Sequence, residues 1–125
     1  MGAATELRNK NLRGILWNWA PVAAKLPGKC GASDIDGVIE RRGHFLFLEG
    51  KRPGERLPLG QLIMLKALAG LNDKVTVLVI NGNRDTGEVE SYNVVTPSGL
   101  QPPKSGAEFN RAIKRWWSRV NGGKQ

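Results

Sequence analysis

Residues 74–81, Lys-Val-Thr-Val-Leu-Val-Ile-Asn, constrain the fold of this chain more than any other stretch. Apolar and β-branched side chains occupy both alternating faces, so a strand here needs cover on both sides. That reads as a central strand of a sheet. Residues 33–40 and 44–51 are two more β-runs, joined around Arg41-Arg42-Gly43 in a hairpin pattern. Residues 58–70 read as a mostly apolar, buried helix. An Asn81-Gly82-Asn83 turn leads to a fourth strand at 88–95, and the Pro-rich stretch 96–104 reads as a loop. Residues 5–19 predict a first helix, with Thr5 as N-cap, a stripe of Leu12, Ile15, Leu16 and Trp19, and Pro21 after its end; 22–32 then reads as a loop. The last helix opens on Ser105-Gly106-Ala107-Glu108, a capping-box pattern. Its apolar stripe is Phe109, Ala112, Ile113, Trp116, Trp117 and Val120. The order α-β-β-α-β-β-α predicts an α/β fold in which a central mixed β-sheet is flanked by helices.

At 125 residues the expectation is one domain over 1–125. Hydrophobic residues at 40% and charged residues at 24% exclude wholesale disorder. No run of about 18 apolar residues is present, so no transmembrane helix is expected. The N-terminus lacks a basic segment followed by an apolar one, so a cytoplasmic setting is expected, or a host-cell cytoplasm for a phage-encoded chain. Cys30 is the lone cysteine and His44 the lone histidine, which excludes an internal disulfide and Cys/His zinc clusters.

The net charge of +8 is unevenly spread. Residues 1–32 carry +4, 33–57 are neutral, 58–103 carry −1 and 104–125 carry +5. Basic ends attract polyanions and release their counterions, which makes nucleic acid the leading partner. A solubility charge on solvated faces explains the composition equally well. An anionic membrane surface is the weaker third reading.

The stretch Gly31–Gln61 carries the chemistry. Side chains alternate faces along a strand, so Asp34 pairs in direction with Asp36, and Glu49 with Lys51. A tight turn at Arg42-Gly43 sets Asp36 opposite Glu49 and Asp34 opposite Lys51. A turn one residue earlier sets Asp34 opposite Glu49, and in both cases all four share a face. Two carboxylates about 4 Å apart repel by roughly 4 kcal/mol at an effective dielectric near 20. A hard divalent cation removes that conflict, because Mg²⁺ binds one or two carboxylates together with water and substrate phosphate. Lys51 would then stand beside the metal, able to orient a water or to stabilise a charged phosphorane. These are the parts of metal-assisted phosphodiester hydrolysis. An ordinary cross-strand ion-pair cluster at a sheet end accounts for the same four residues.

Asp…Glu-x-Lys on a hairpin followed by a helix resembles the PD-(D/E)xK nuclease superfamily. More narrowly, Gly31-Ala32-Ser33-Asp34-Ile35, Glu49-Gly50-Lys51, the basic loop Arg52-Pro53-Gly54-Glu55-Arg56-Leu57 and Gln61 resemble the virus-type replication-repair nuclease (VRR-NUC) domain. Ser33 stands where the superfamily has proline, and Asp36 where the family has an apolar residue. The resemblance implies a restriction-endonuclease-like core, Asp34 and Glu49 as metal ligands for Mg²⁺ or Mn²⁺, Lys51 as catalytic lysine and Gln61 as a helix residue orienting the lysine or a phosphate. Glu6 would complete the site from the first helix, although a first-turn Glu also serves the helix dipole. Asp34 is favoured on motif as the main ligand, with Asp36 a neighbour or third ligand.

Arg13, Arg52, Arg56, Arg111, Lys114, Arg115 and Arg119 are candidate phosphate contacts as a group. His44 reads as a turn or surface residue, Cys30 lacks the partners of a thiol nucleophile, and Trp116-Trp117 suit core or dimer packing better than base stacking. The resulting expectation is a metal-dependent, structure-specific DNA endonuclease. It would cut branched DNA in the manner of a Holliday-junction resolvase, as a homodimer with both binding and cutting on one surface. A flap, nick or end-processing nuclease and a non-catalytic nucleic-acid-binding protein are the alternatives.

Overall fold

The computed structural model describes residues 17–28 and 33–123. The chain divides into two units, Met1–Asp34 and Ile35–Gln125. In the first, α1 (Ala20–Ala23) is a single helical turn carrying Pro21, and the Asn18 side chain accepts the N–H of Ala20 at 3.1 Å. Residues 17–19 are not helical, so the chain turns helical where the sequence predicted a stop. The reason is positional: proline in a first turn gives up only an N–H that has no partner there. The rest of the predicted first helix, with Glu6 and Arg13, lies outside the described residues, as does Cys30.

The second unit contains β1 (Gly37–Arg41), β2 (His44–Lys51), α2 (Leu59–Ala69), β3 (Val75–Asn83), β4 (Glu88–Thr96), β5 (Gly99–Leu100), β6 (Lys104–Ser105) and α3 (Gly106–Val120). The sheet is mixed, in the order β1-β2-β3-β4-β5, with β6 also on β4. Strands β2 and β3 are parallel and joined through α2; the other pairs are antiparallel. This agrees with the expected α/β class. No helix among the described residues is long and apolar enough to cross a membrane.

Alternation along the strands divides the core in two. Leu46, Leu78 and Tyr92 pack with Trp116 and Val120 of α3. On the opposite face Val77, Val79 and Val95 pack with Leu65 of α2, and Phe47 joins them. Strand β3 supplies both clusters, as its two-sided apolar pattern requires. The capping box of α3 is formed: the Ser105 hydroxyl accepts the N–H of Glu108 and the Glu108 carboxylate accepts that of Ser105.

Two local expectations change. The strand expected to end at Asn81 continues through Asn83, with a bulge at Asn81/Gly82, and the turn falls at 84–87. The Asn83 side chain accepts the N–H groups of Asp85 and Thr86, so it initiates a turn of its own. Gly82 instead allows a close approach, since a Cβ there would collide with the Glu88 carbonyl. The stretch expected to be a Pro-rich loop contributes β5 and β6, because the Gln101 carbonyl and N–H bond the Asn93 side chain and the Val94 carbonyl.

Candidate active site

The hairpin turn decides which aspartate meets Glu49. Arg42 and Gly43 both have positive φ, 53° and 82°, the backbone that a two-residue turn needs to match the strand twist. The turn is held by the Gly43 N–H donating to the Glu40 carboxylate at 2.8 Å. The register that follows pairs Arg41 with His44 and Gly37 with Leu48. One step further, Asp36 comes opposite Glu49. Its Oδ2 accepts the Gly50 N–H at 2.8 Å. A side chain thereby takes a donor that the backbone ladder would have used, and β1 begins at Gly37 rather than Ser33.

Glu49 shares the sheet face of Phe47, beneath α2, and is 4% exposed. Its neighbour on β3 is the buried Val79. From α2, Gln61 donates from Nε2 to Glu49 Oε2 at 2.5 Å. Leu65, one turn further on and buried among Val77, Val79 and Val95, anchors the helix face that carries Gln61. Lys51 places Nζ 3.4 Å from the same Oε2, with its side chain 10% exposed. Both donors therefore converge on one oxygen of Glu49. The other, Oε1, is buried with no partner, and so is Gln61 Oε1.

Burial raises the pKa of Glu49 above the ordinary glutamate value, and the nearby Asp36 charge raises it further. The hydrogen bond from Gln61 and the Lys51 charge pull the other way without prevailing. The site is thus an electron-rich corner with more negative charge than its own cation offsets.

A divalent cation fits that imbalance. Among the described residues no group of three or more His, Cys, Asp or Glu is gathered. Two carboxylates nonetheless match Mg²⁺, which keeps several waters and draws its remaining oxygens from substrate. Glu49 Oε1 and the Asp36 carboxylate are the groups that would hold it, and Gln61 Oε1 is a third oxygen without a partner.

Asp34 belongs to the first unit and is exposed. In the loop after β2, Arg52 pairs with Glu55 at 3.8 Å and its N–H lowers the Glu55 pKa, while Arg56 is exposed. Arg111, Lys114, Arg115 and Arg119 lie on α3, which packs on the sheet face opposite Glu49, so the expectation of one shared surface does not hold for them. His44 sits beside the hairpin turn, half-buried. Trp116 is buried in the core, whereas Trp117 is 39% exposed with the Arg41 guanidinium 5.0 Å from its ring centre. Arg41 also donates to the Asn121 side chain at 2.6 Å, a link for which the sequence offered no signal. No family model, curated protein or solved structure matches this chain.

Proposed function

We propose that this chain is a metal-dependent DNA endonuclease with a PD-(D/E)xK-type core, and that Asp36, Glu49, Lys51 and Gln61 form its site. The observation that carries the reading is the unpartnered Oε1 of Glu49, flanked by Asp36 while Lys51 and Gln61 hold Oε2. An ion-pair cluster built only for structure would satisfy both oxygens, because a buried acceptor left unmet is costly. The position supports the same reading: Glu49 and Lys51 end β2, and the carboxyl ends of parallel strands are where open α/β sheets place their ligands.

Bound Mg²⁺ or Mn²⁺ would polarise a phosphoryl oxygen and lower the pKa of a water. The chain's own residues do the rest. Glu49 and Asp36 fix the cation's position, and Gln61 holds the Glu49 carboxylate in one orientation. Lys51, at the open end of the strand, orients the attacking water and stabilises the negative charge that builds on the phosphorane.

Branched DNA is the proposed substrate and a homodimer the proposed working form, since a resolving enzyme needs two cuts across a junction. Labelled four-way junction, flap and linear duplex, incubated with Mg²⁺, Mn²⁺ or EDTA, test this directly. Paired nicks confined to the junction and abolished by EDTA are expected. The absence of metal-dependent cutting on every substrate overturns the enzyme reading.

A further inference from the structure

The two edges of the sheet differ. At one, β5 and β6 have two residues each, among Pro97, Pro102 and Pro103, so little strand is open for pairing. At the other, β1 pairs with β2 alone, and its outer side meets no strand among the described residues. It is five residues long, with no proline, lysine or bulge to keep a further strand away. Its two charges are held by the chain's own groups: Glu40 accepts the Gly43 N–H, and Arg41 donates to Asn121. Val38 on one face and Ile39 on the other are 49% and 40% exposed.

The hairpin register fixes which backbone groups are open. Arg41 and His44 close a two-residue turn and exchange both hydrogen bonds, so Gly37, Ile39 and Arg41 bond inward to β2. The Phe45 N–H, opposite Glu40, points the other way and donates to the Lys74 carbonyl. Val38 and Glu40 therefore turn their N–H and C=O groups outward, and a strand added there would take all four.

Charge selects that strand. The run passes from Asp36, just before β1, to Arg41 and Arg42 at its end. Antiparallel pairing with its own copy brings each acidic end to the other's basic end, whereas parallel pairing sets like charges together. With Ile39 on the twofold axis, Val38 of each copy bonds Glu40 of the other, and Asp36 comes level with the turn residue Arg42 of the second copy. The neighbouring registers of the same phase fail: centred on Glu40 they oppose two glutamates, and centred on Val38 they oppose Asp36 and Glu40. Arg42 holds a φ of 53°, where glycine or asparagine is less strained, so its cation stands at this turn against backbone preference.

We infer that β1 pairs with β1 of a second copy of this chain, antiparallel about Ile39, joining two sheets into one. The use of this pairing in cutting rests on the nuclease reading; the pairing itself does not. Directly paired residues share a face, so both Asp36–Glu49 corners lie on one side of the joined sheet. The two Asp36 residues are six positions apart along the strands, about 20 Å, each beside Arg42 of the other copy. So short an edge buries less than the roughly 800 Å² per partner of stable complexes. The dimer is therefore weak alone and is held when DNA collects two copies.

Disulfide trapping of the full-length chain in EDTA tests the interface apart from any cutting. Cys30, the lone cysteine, is first replaced by serine. In this register the two Ile39 Cα atoms are about 4.5 Å apart, within disulfide reach, while the two Val38 residues are out of step and beyond it. Under mild oxidation Ile39→Cys should form a covalent dimer about tenfold faster or more than Val38→Cys, and junction DNA should speed it. Adding Arg42→Glu, which sets like charges opposite Asp36, should slow trapping about threefold or more at low salt. Ile39→Lys, altered at an exposed position, should fold as the parent does by circular dichroism and sediment as a monomer on junction DNA. Failure to trap Ile39→Cys with or without DNA overturns the proposal and leaves the edge to a strand of another protein. Equal trapping of the two cysteine variants, an unchanged rate with Arg42→Glu, or a dimer of Ile39→Lys on DNA overturns it as well. Trapping as expected in a chain that cuts no DNA keeps the interface and overturns the nuclease reading alone.

Discussion

Glu49 carries its charge where a carboxylate is costly, beside a second carboxylate and beneath a helix. Burial and the Asp36 charge raise its pKa, so in the absence of metal the folded state holds this proton more tightly than the unfolded chain does. The sign follows: its contribution is fully present below the ordinary glutamate value, about 4.3, and is lost as pH rises through the raised folded value. In EDTA, Glu49→Gln should therefore melt higher than the parent at neutral pH, with the gap closing towards pH 4, while metal-dependent cutting is lost. Lys51→Ala should reduce kcat by about 10²–10³-fold and keep DNA affinity, as a gel-shift titration in EDTA would show. Asp36→Asn should match that loss and Asp34→Asn should not. The reverse result would restore Asp34, the aspartate the motif favours. The motif made Glu49, Lys51 and Gln61 legible as residues, but it did not show that the lysine and the glutamine share a single carboxylate oxygen.

At the scale of elements, the β1–β2 turn has consequences out of proportion to its length. Arg42 and Gly43 both adopt positive φ, and a Cβ added at Gly43 would meet no neighbouring atom, so any penalty for substitution there is backbone strain alone. Gly43→Ala should cost about 1 kcal/mol of stability in urea unfolding, and the same turn residues set the register that puts Asp36 opposite Glu49. A slip by one residue would send Asp36 to the other face. The α3 capping box is a second local device: Ser105→Ala leaves the Glu108 N–H without its acceptor and should cost about 1 kcal/mol. Both devices were visible in the sequence as short-range patterns. The turn at 84–87 was not, because Asn-Gly at 81–82 is an equally good local signal and only the bulge against β4 displaces it.

At the scale of the molecule, the basic residues of α3 and the proposed catalytic groups are separated by the sheet. The basic residues of α3 lie on one face and Glu49 on the other. A net charge of +8 on a chain of 125 residues still predicts steeply salt-dependent DNA affinity. If several phosphate contacts are made, raising salt from about 50 to 200 mM should weaken binding by 10³-fold or more. Sedimentation should report a dimer when junction DNA is bound, which is the arrangement that lets one basic face and one cutting face act on the same branched substrate.

The sequence by itself determined the element types, the two-sided core strand, the helix cap and the residue types of the site. These depend on periodicity and on contacts a few residues apart. Only the tertiary structure decided which aspartate meets Glu49, that Lys51 and Gln61 meet on Oε2, and that α3 and α2 cover opposite faces. Those outcomes depend on which of the two turn positions left open by the sequence the folded hairpin adopts, and on packing between residues distant along the chain, which short-range pattern does not encode.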